Sequence, residues 1–351
     1  MSPKLQPEFQ LDVAHQIKCR ILAGDWQPGS RLPSYSELEC LFPYSRITLQ
    51  MAMSLLKRQG FVTSEERKGF FVHPCPPHLY HFGLVFPHSA RCSLFWEALD
   101  REAPGVAREF QSTCTIYRDV ADAMRNFGDR ECLLANAREQ CIAGLVFPIA
   151  PPEWVEIADI PTVAISCLDF PQGARVDLDI GSFSRQAVDM MRARGRYRVA
   201  IVGLGEAPIL SATESALRKA GIAVPPEWRL LTGHPPAGGY AIARLLMSLP
   251  ADERPNGLIL VDDDVVTPFS AGLRDSGSFD PESMDVIAAA NWPCLPETAV
   301  PVRFLGFDMQ AVMRHSFATI RSMRLQQQYT KLLCLKAAMI DMAAAKPFSR
   351  K

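Results

Sequence analysis

Apolar positions in the first 73 residues recur at helical spacing and then switch to strand-like alternation. Leu11, Ala14, Ile17, Ile21 and Leu22 share one face of a helix over 10–23, and Gly24-Asp25 ends it. Trp26-Gln27-Pro28-Gly29 reads as a turn, with Trp26 as a packing residue. After Leu32-Pro33, the run Ser34-Tyr35-Ser36-Glu37 has the S-x-x-E spacing of a capping box, in which hydroxyl and carboxylate satisfy the orphan N–H groups of a helix start. Leu38 and Leu41 follow at helical spacing, and Pro43 stops that helix because proline disfavours a helical residue before it. Ser45 is the N-cap of a third helix, whose buried stripe is Leu49, Ala52, Met53 and Leu56. Arg46, Thr48, Gln50, Lys57 and Arg58 fall off that stripe, and Gly60 sits at a C′-type position. Residues 61–63 and 70–72 then form two short strands around Glu65-Glu66-Arg67-Lys68-Gly69. Helix, turn, helix and β-ribbon together predict a winged helix-turn-helix whose third helix fits a DNA major groove.

The rhythm changes after Pro74-Cys75-Pro76-Pro77-His78, a stiff proline-rich linker. Apolar strand-like runs at 80–86, 114–117, 143–147 and 162–165 alternate with helical segments near 94–109 and 122–140. A second series follows, with helices at 183–194, 210–220, 240–248 and 268–275 and strands at 199–204, 229–232, 258–261 and 286–289. Strands apolar on both faces and alternating with helices predict parallel sheets covered on both sides. The expected fold class is α/β overall, with two doubly wound lobes behind the winged helix. Ligands of such sheets sit beyond the carboxyl ends of the strands, here in a cleft between lobes. The predicted division is 1–73 for the DNA-binding domain, 74–79 for the linker, 80–328 for the two lobes and 329–351 for a C-terminal tail. The tail reads as one amphipathic helix carrying Leu332, Leu333, Ala337, Met339 and Ile340.

Composition narrows the function classes. The chain has 351 residues, 48% of them hydrophobic and 21% charged, as in an ordinary globular protein of two or three domains. No apolar run is long enough for a membrane span, and the N-terminus lacks the apolar core of a signal peptide, so a cytoplasmic location is expected. The ten cysteines are spread singly, without metal-ligand spacing. Residues 1–74 carry a net charge of +2 and the rest −3, so only the local placement of Arg46, Arg67 and Lys68 points to phosphate contact.

LPSYSEL, YSRITLQMAMSLLKRQGFV and KGFFV, with their spacing, resemble the GntR-type DNA-binding domain over about residues 9–73. The resemblance implies operator contacts by Arg46 and Thr48, backbone contacts by Ser34 and Ser45, and a wing-tip glycine at Gly69. Ser36 and Gln50 stand where many members have arginine, Ile47 where threonine is usual, and Pro43 where glycine is usual. Gln50 has the chemistry to read adenine and Arg46 guanine. The DNA-binding set is therefore Ser34, Ser36, Ser45, Arg46, Thr48, Gln50, Arg67, Lys68 and Gly69.

Residues 80–320 resemble the LacI/GalR-type sensor, itself similar to periplasmic sugar-binding proteins. HFGLVFPHSARCSLFWEAL matches its opening strand and first cleft loop, ARGRYRVAIVG the start of its second lobe, and PNGLILVDDDVVTPFSAGLRDSG the segment with its ligand-binding aspartate. That alignment places Asp263 on the aspartate, and DVIAAANWP places Asn291 on a second polar cleft position. His88, Ser89, Phe95 and Trp96 complete the ligand-binding set. The family's sugar-clamping arginine has no counterpart, since Ser211 to Thr213 stand there. Asp263 has a structural alternative as a helix cap, and the two aromatics an alternative as core.

These readings converge on a DNA-binding transcriptional regulator, a repressor by family habit. A small-molecule effector, a sugar or sugar derivative, would control its binding to double-stranded operator DNA as a homodimer. The alternative is a regulator whose sensor-like lobes serve only for dimerisation. An enzyme is not expected. There is no nucleophile–base signature, Gly203-x-Gly205 lacks the third glycine of a nucleotide loop, and three adjacent carboxylates, Asp262-Asp263-Asp264, should not face one point. No cofactor, metal or membrane partner is implied.

Overall fold

The computed structural model describes residues 7–89, 93–121, 127–152, 160–166, 170 and 173–340. Helices α1 (Pro7–Ala23), α2 (Tyr35–Leu41) and α3 (Arg46–Arg58) and strands β1 (Val62–Glu65) and β2 (Gly69–Val72) form the N-terminal head. The capping box forms as expected: Ser34 N–H donates to Glu37 Oε2 at 2.7 Å, and Glu37 N–H donates to Ser34 Oγ at 3.4 Å. Ser45 caps α3 by accepting from Thr48 N–H at 3.3 Å. Leu49, Ala52, Met53 and Leu56 are buried against Val13, Ile17, Leu38, Phe61 and Val72. The wing is antiparallel, with Glu65 opposite Gly69. Its turn runs through Arg67 at φ 60° and Gly69 at φ 104°, a left-handed backbone that favours glycine at the second position.

The linker is not a plain spacer. It closes with one helical turn, α4 (Pro77–Tyr80), and buries His78 flat against Phe61, with ring centroids 5.6 Å apart. The next elements are β3 (His81–Val85), α5 (Leu94–Glu109), β4 (Thr113–Tyr117), α6 (Phe127–Arg138), β5 (Gly144–Phe147), β6 (Thr162–Ile165) and β7 (Ala174–Asp179). Then follow α7 (Ile180–Ala193), β8 (Val199–Gly203), α8 (Pro208–Lys219), β9 (Arg229–Leu231), α9 (Gly238–Ser248), β10 (Gly257–Leu260), α10 (Asp263–Asp275), β11 (Asp285–Trp292), β12 (Arg303–Asp308), α11 (Met309–Arg324), β13 (Leu332–Lys336) and β14 (Ala338–Met339). One sheet has the order β13-β7-β6-β5-β3-β4 and the other β14-β12-β11-β10-β8-β9. All neighbours pair in parallel except β12 with β14, so the chain builds two doubly wound lobes. Of the helix expected over 122–140, residues 122–126 lie outside the described residues.

The C-terminal helix expected over 329–351 is not present where the chain is described. Residues 332–336 form β13, in parallel register with β7, and 338–339 pair with β12. An open edge on each sheet supplies hydrogen-bond partners, and that tertiary pairing outweighs a helix-like apolar spacing. The remaining tail residues, 341–351, lie outside the described residues.

The chain crosses between lobes three times, from β7 to α7, from β12 to α11 and from β13 to β14. The first two crossings are helix caps: Asp179 accepts from Ser182 N–H at 2.7 Å, and Asp308 from Gln310 N–H at 2.8 Å. At the third, Ala337 N–H donates to Ser182 Oγ at 2.8 Å and its carbonyl accepts from Gln186 at 2.7 Å. The head rests on the first lobe. Lys18 of α1 donates to the carbonyl of Glu139 at 3.0 Å and to its carboxylate at 2.8 Å, and Gln59 donates to the same carboxylate at 2.9 Å.

Candidate functional site

Two places gather the residues that the sequence singled out. The first is the outer face of α3 with the wing. Because the buried stripe occupies one side of α3, positions 47, 50, 51, 54 and 58 align on the other over about three turns. Ser34, Ser36, Ser45, Arg46, Gln50, Arg67, Lys68 and Gly69 are all exposed, and Thr48 is half-buried. The hydroxyls of Ser34 and Ser45 already serve the fold: Ser34 Oγ lies 2.7 Å from Glu37 Oε2, and Ser45 Oγ lies 2.9 Å from Thr48 Oγ1. The Arg46 guanidinium sits 5.5 Å above the Tyr35 ring, which ties the start of α3 to α2. Lys68 pairs with Glu65 across the wing turn at 2.8 Å. Two features escaped the sequence reading. Arg31 lies beside the wing, where a β-carbon on Gly69 would come 3.8 Å from its Nε. Ile47 and Met51 place apolar side chains on the solvent side of α3. Their i, i+4 spacing, out of phase with the core stripe, was the available signal.

The second place is a cavity of about 660 Å³ between the lobes, a size suited to a small molecule. Phe95, Asp263 and Asn291 line it, so three of the six predicted ligand residues come together. Asn291 Nδ2 donates to Asp263 Oδ2 at 2.7 Å. His88 and Ser89 are exposed and are not among the lining residues, and Trp96 packs on Phe86 with centroids 5.6 Å apart. Adjacent helix positions point about 100° apart, so Phe95 and Trp96 cannot both face the cleft.

Asp263 does not cap α10. Asp262 does, accepting from Asp264 N–H at 3.0 Å, while Asp264 accepts from Leu94 N–H of the opposite lobe at 3.2 Å. The three carboxylates converge more than strand alternation predicts, with one oxygen of each within 4.8 Å of the others, because β10 has ended and the last two lie in the first helical turn. Burial pushes the Asp263 carboxyl well above the usual range, Asp264 and Asp262 add to the effect, and the Asn291 hydrogen bond opposes it. Burial, then repulsion from Asp264, pushes Asp262 up to about 6. The first lobe contributes Asp177 and Asp179, which the sequence reading missed. Burial raises the Asp177 carboxyl against the pull of Arg175, and its Oδ1 has no hydrogen-bond partner among the described residues. Ile180, Pro208, Ile209 and Phe307 supply an apolar floor. No Lys, Arg or His lines the cavity among the described residues. At the clamp position Thr213 is core, its hydroxyl buried 3.0 Å from Ser184 Oγ, while Ser211 is exposed.

Residues 9–72 match the family described as bacterial regulatory proteins, gntR family. The head is a GntR-type domain. Over 62 residues it is 37% identical to an uncharacterized HTH-type transcriptional regulator, YdcR, of Escherichia coli (strain K12), and this covers 18% of the present chain but only 13% of that relative. The lobes have the fold of LacI-family regulators. A putative LacI transcriptional regulator from Bacillus cereus subsp. cytotoxis superposes with a TM-score of 0.60 at 16% identity, covering 74% of this chain and 96% of that one. A putative ribose operon repressor from Burkholderia thailandensis gives 0.58 at 17%, covering 75% and 99%. A Lactobacillus casei LacI-family regulator with bound glucose gives 0.57 at 17%, covering 74% and 98%. Among the described residues no helix is long and apolar enough to cross a membrane.

Proposed function

We propose that this protein is a ligand-responsive transcriptional regulator, acting as a repressor, whose GntR-type head binds a two-fold operator as part of a homodimer. The inter-lobe cavity holds the effector, a sugar or sugar derivative. One observation carries the reading: Asp263 and Asn291, from two neighbouring strand ends, meet at 2.7 Å on the wall of an inter-lobe cavity, in a chain whose other end is a winged helix. A carboxylate-lined wall accepts hydrogen bonds from ligand hydroxyls, and the apolar floor fits the carbon face of a ring. Carboxylates on both sides disfavour an anionic ligand, so a neutral or amino sugar fits better than a sugar phosphate or sugar acid. The glucose-bound and ribose-operon neighbours support the sugar class. Ligand binding stabilises a closed arrangement only by its differential affinity for it, and the head moves with the first lobe.

A thermal-shift screen against sugars, amino sugars, sugar phosphates, sugar acids and nucleosides tests this. A ligand present at a hundredfold excess over its dissociation constant adds about 2.7 kcal/mol of stability. The expected result is a shift with a neutral or amino sugar that is lost in Asp263→Ala and Asn291→Ala. No shift across the library, with operator binding intact, would leave the lobes as a dimerisation module.

A further inference from the structure

Ile47 occupies the first turn of α3, between Arg46 and Thr48, and is 56% exposed. Met51, one turn on, is 36% exposed. A single surface aliphatic is ordinary, but these two lie together. With Gln10, Gln50, Ser54 and Arg58 they line a shallow groove of about 310 Å³ along the solvent side of α3. The core takes the opposite side of the helix, through Leu49, Ala52, Met53 and Leu56, so packing within the head gives Ile47 no role. Arg46 precedes it on the same turn and Arg58 lines the same groove, while Arg31, Arg67 and Lys68 are exposed at the wing, where Lys68 pairs with Glu65. A helix face with cations around it and an aliphatic side chain at its N-terminal turn is complementary to one feature of duplex DNA. The thymine C5-methyl is the apolar group that the major groove displays, and it lies among hydrogen-bonding base edges ringed by phosphates.

We propose that Ile47 reads a thymine methyl in each operator half-site, so that sequence selectivity at that base pair comes from an apolar contact while Arg46 and Gln50 read neighbouring base edges. Met51 flanks the same pocket and shields the contact from water. The proposal rests on the DNA-binding reading above and adds the base that the operator must contain.

The test separates the two. The full-length chain first selects duplexes from a random library, which yields a preferred site. Each thymine of that site is then replaced by deoxyuridine, which removes the methyl and leaves every hydrogen-bonding edge unchanged. One position per half-site should weaken binding about fourfold, the equivalent of about 0.8 kcal/mol for one buried methyl group. Replacing both symmetric positions should weaken it about sixteenfold. Ile47→Ala, an exposed substitution that leaves thermal unfolding unchanged, should bind the thymine and deoxyuridine duplexes equally, whereas Arg46→Ala should keep the difference. A selected site with no methyl-sensitive position overturns the proposal and leaves DNA binding standing. So does a methyl effect that persists in Ile47→Ala, or an Ile47→Ala variant whose oligomeric state changes in place of its DNA affinity. Failure to select any sequence overturns the DNA-binding reading itself.

Discussion

Lys18→Met should loosen the head from the first lobe while leaving the head folded. Methionine keeps the apolar stem against the α1–α3 core and removes only the ammonium. The Lys18 side chain is 6% exposed, and its ammonium lies 5.0 Å from the Phe61 ring centroid and makes two hydrogen bonds to Glu139. It also holds the Glu139 carboxyl below its ordinary value, its hydrogen bond being the largest influence there. A hydrogen bond to a charged group contributes about 1.5–3 kcal/mol, and breaking a fully buried pair costs about 3–5. Glu139 is 54% exposed and regains water when its partner goes, so the lower part of the first range applies. A loss of about 2 kcal/mol shifts the docked-to-undocked ratio roughly thirtyfold. Limited proteolysis in the proline-rich linker reads this ratio directly, because cleavage follows the open population when reclosing is fast. Glu139→Gln, which keeps a neutral acceptor for Gln59, should give a smaller increase. An unchanged cleavage rate in Lys18→Met would refute the reasoning, since the head would then be held by its apolar contacts alone.

The same seam should be sensitive to pH through His78. Its imidazole is buried against Phe61, and burial, then Arg324, lowers its pKa to about 4. The unfolded state takes up the proton first, so stability falls as pH drops from about 6.5 to 4, by up to about 3 kcal/mol. Thermal unfolding of His78→Phe should lack that dependence, and an unaltered pH profile would exclude His78 as its source. In the cleft, Asp263→Asn should raise the unfolding temperature, because it removes a buried carboxyl already pushed well above its usual range, yet it should abolish the ligand response. Ligand affinity in the unaltered protein should fall as pH drops through about 6, where Asp262 takes up a proton and becomes a weaker acceptor, and calorimetry across pH 5–8 reads this.

The head was legible nearly residue by residue because its determinants are local. The Ser34–Glu37 box, the Ser45 cap, the stripe on α3 and the wing turn each lie within a few residues of one another. The lobes were legible as an alternation, but less so where identity depends on distant partners. Residues 332–336 carry an apolar run too short to distinguish helix from strand by period, and their state is set by β7, far earlier in the chain. Asp177 and Asp179 escaped for the same reason: the V-D-L-D alternation marks a cleft wall only once β7 is known to end there. The resemblance brought Asp263 to the cavity, but it could not assign the cap to Asp262, since either of two neighbouring carboxylates satisfies the pattern. His88 and Ser89 follow a strand end, as a cleft loop requires, yet strand-end position alone does not aim a side chain.

The seam and the crossings together bear on how a cleft event would reach the head. The described contacts of the head core fall on the first lobe: Lys18 and Gln59 reach Glu139, and Cys141 packs against the head core, while Arg324 of α11 holds the carbonyls of Ile142 and Ala143 within that lobe. The second lobe is joined to the first by three crossings, two of them helix caps, and packs on it directly through α5 against β11 and α10 and through a shared apolar core. Asp264 on Leu94 N–H adds a polar link at the cleft mouth that a ligand can compete for or complete. In the proposed mechanism a change in lobe angle would reach the head through these first-lobe contacts. Lys18 is one of several ties that hold the head to the first lobe, beside Gln59 on Glu139 and Cys141 against the head core.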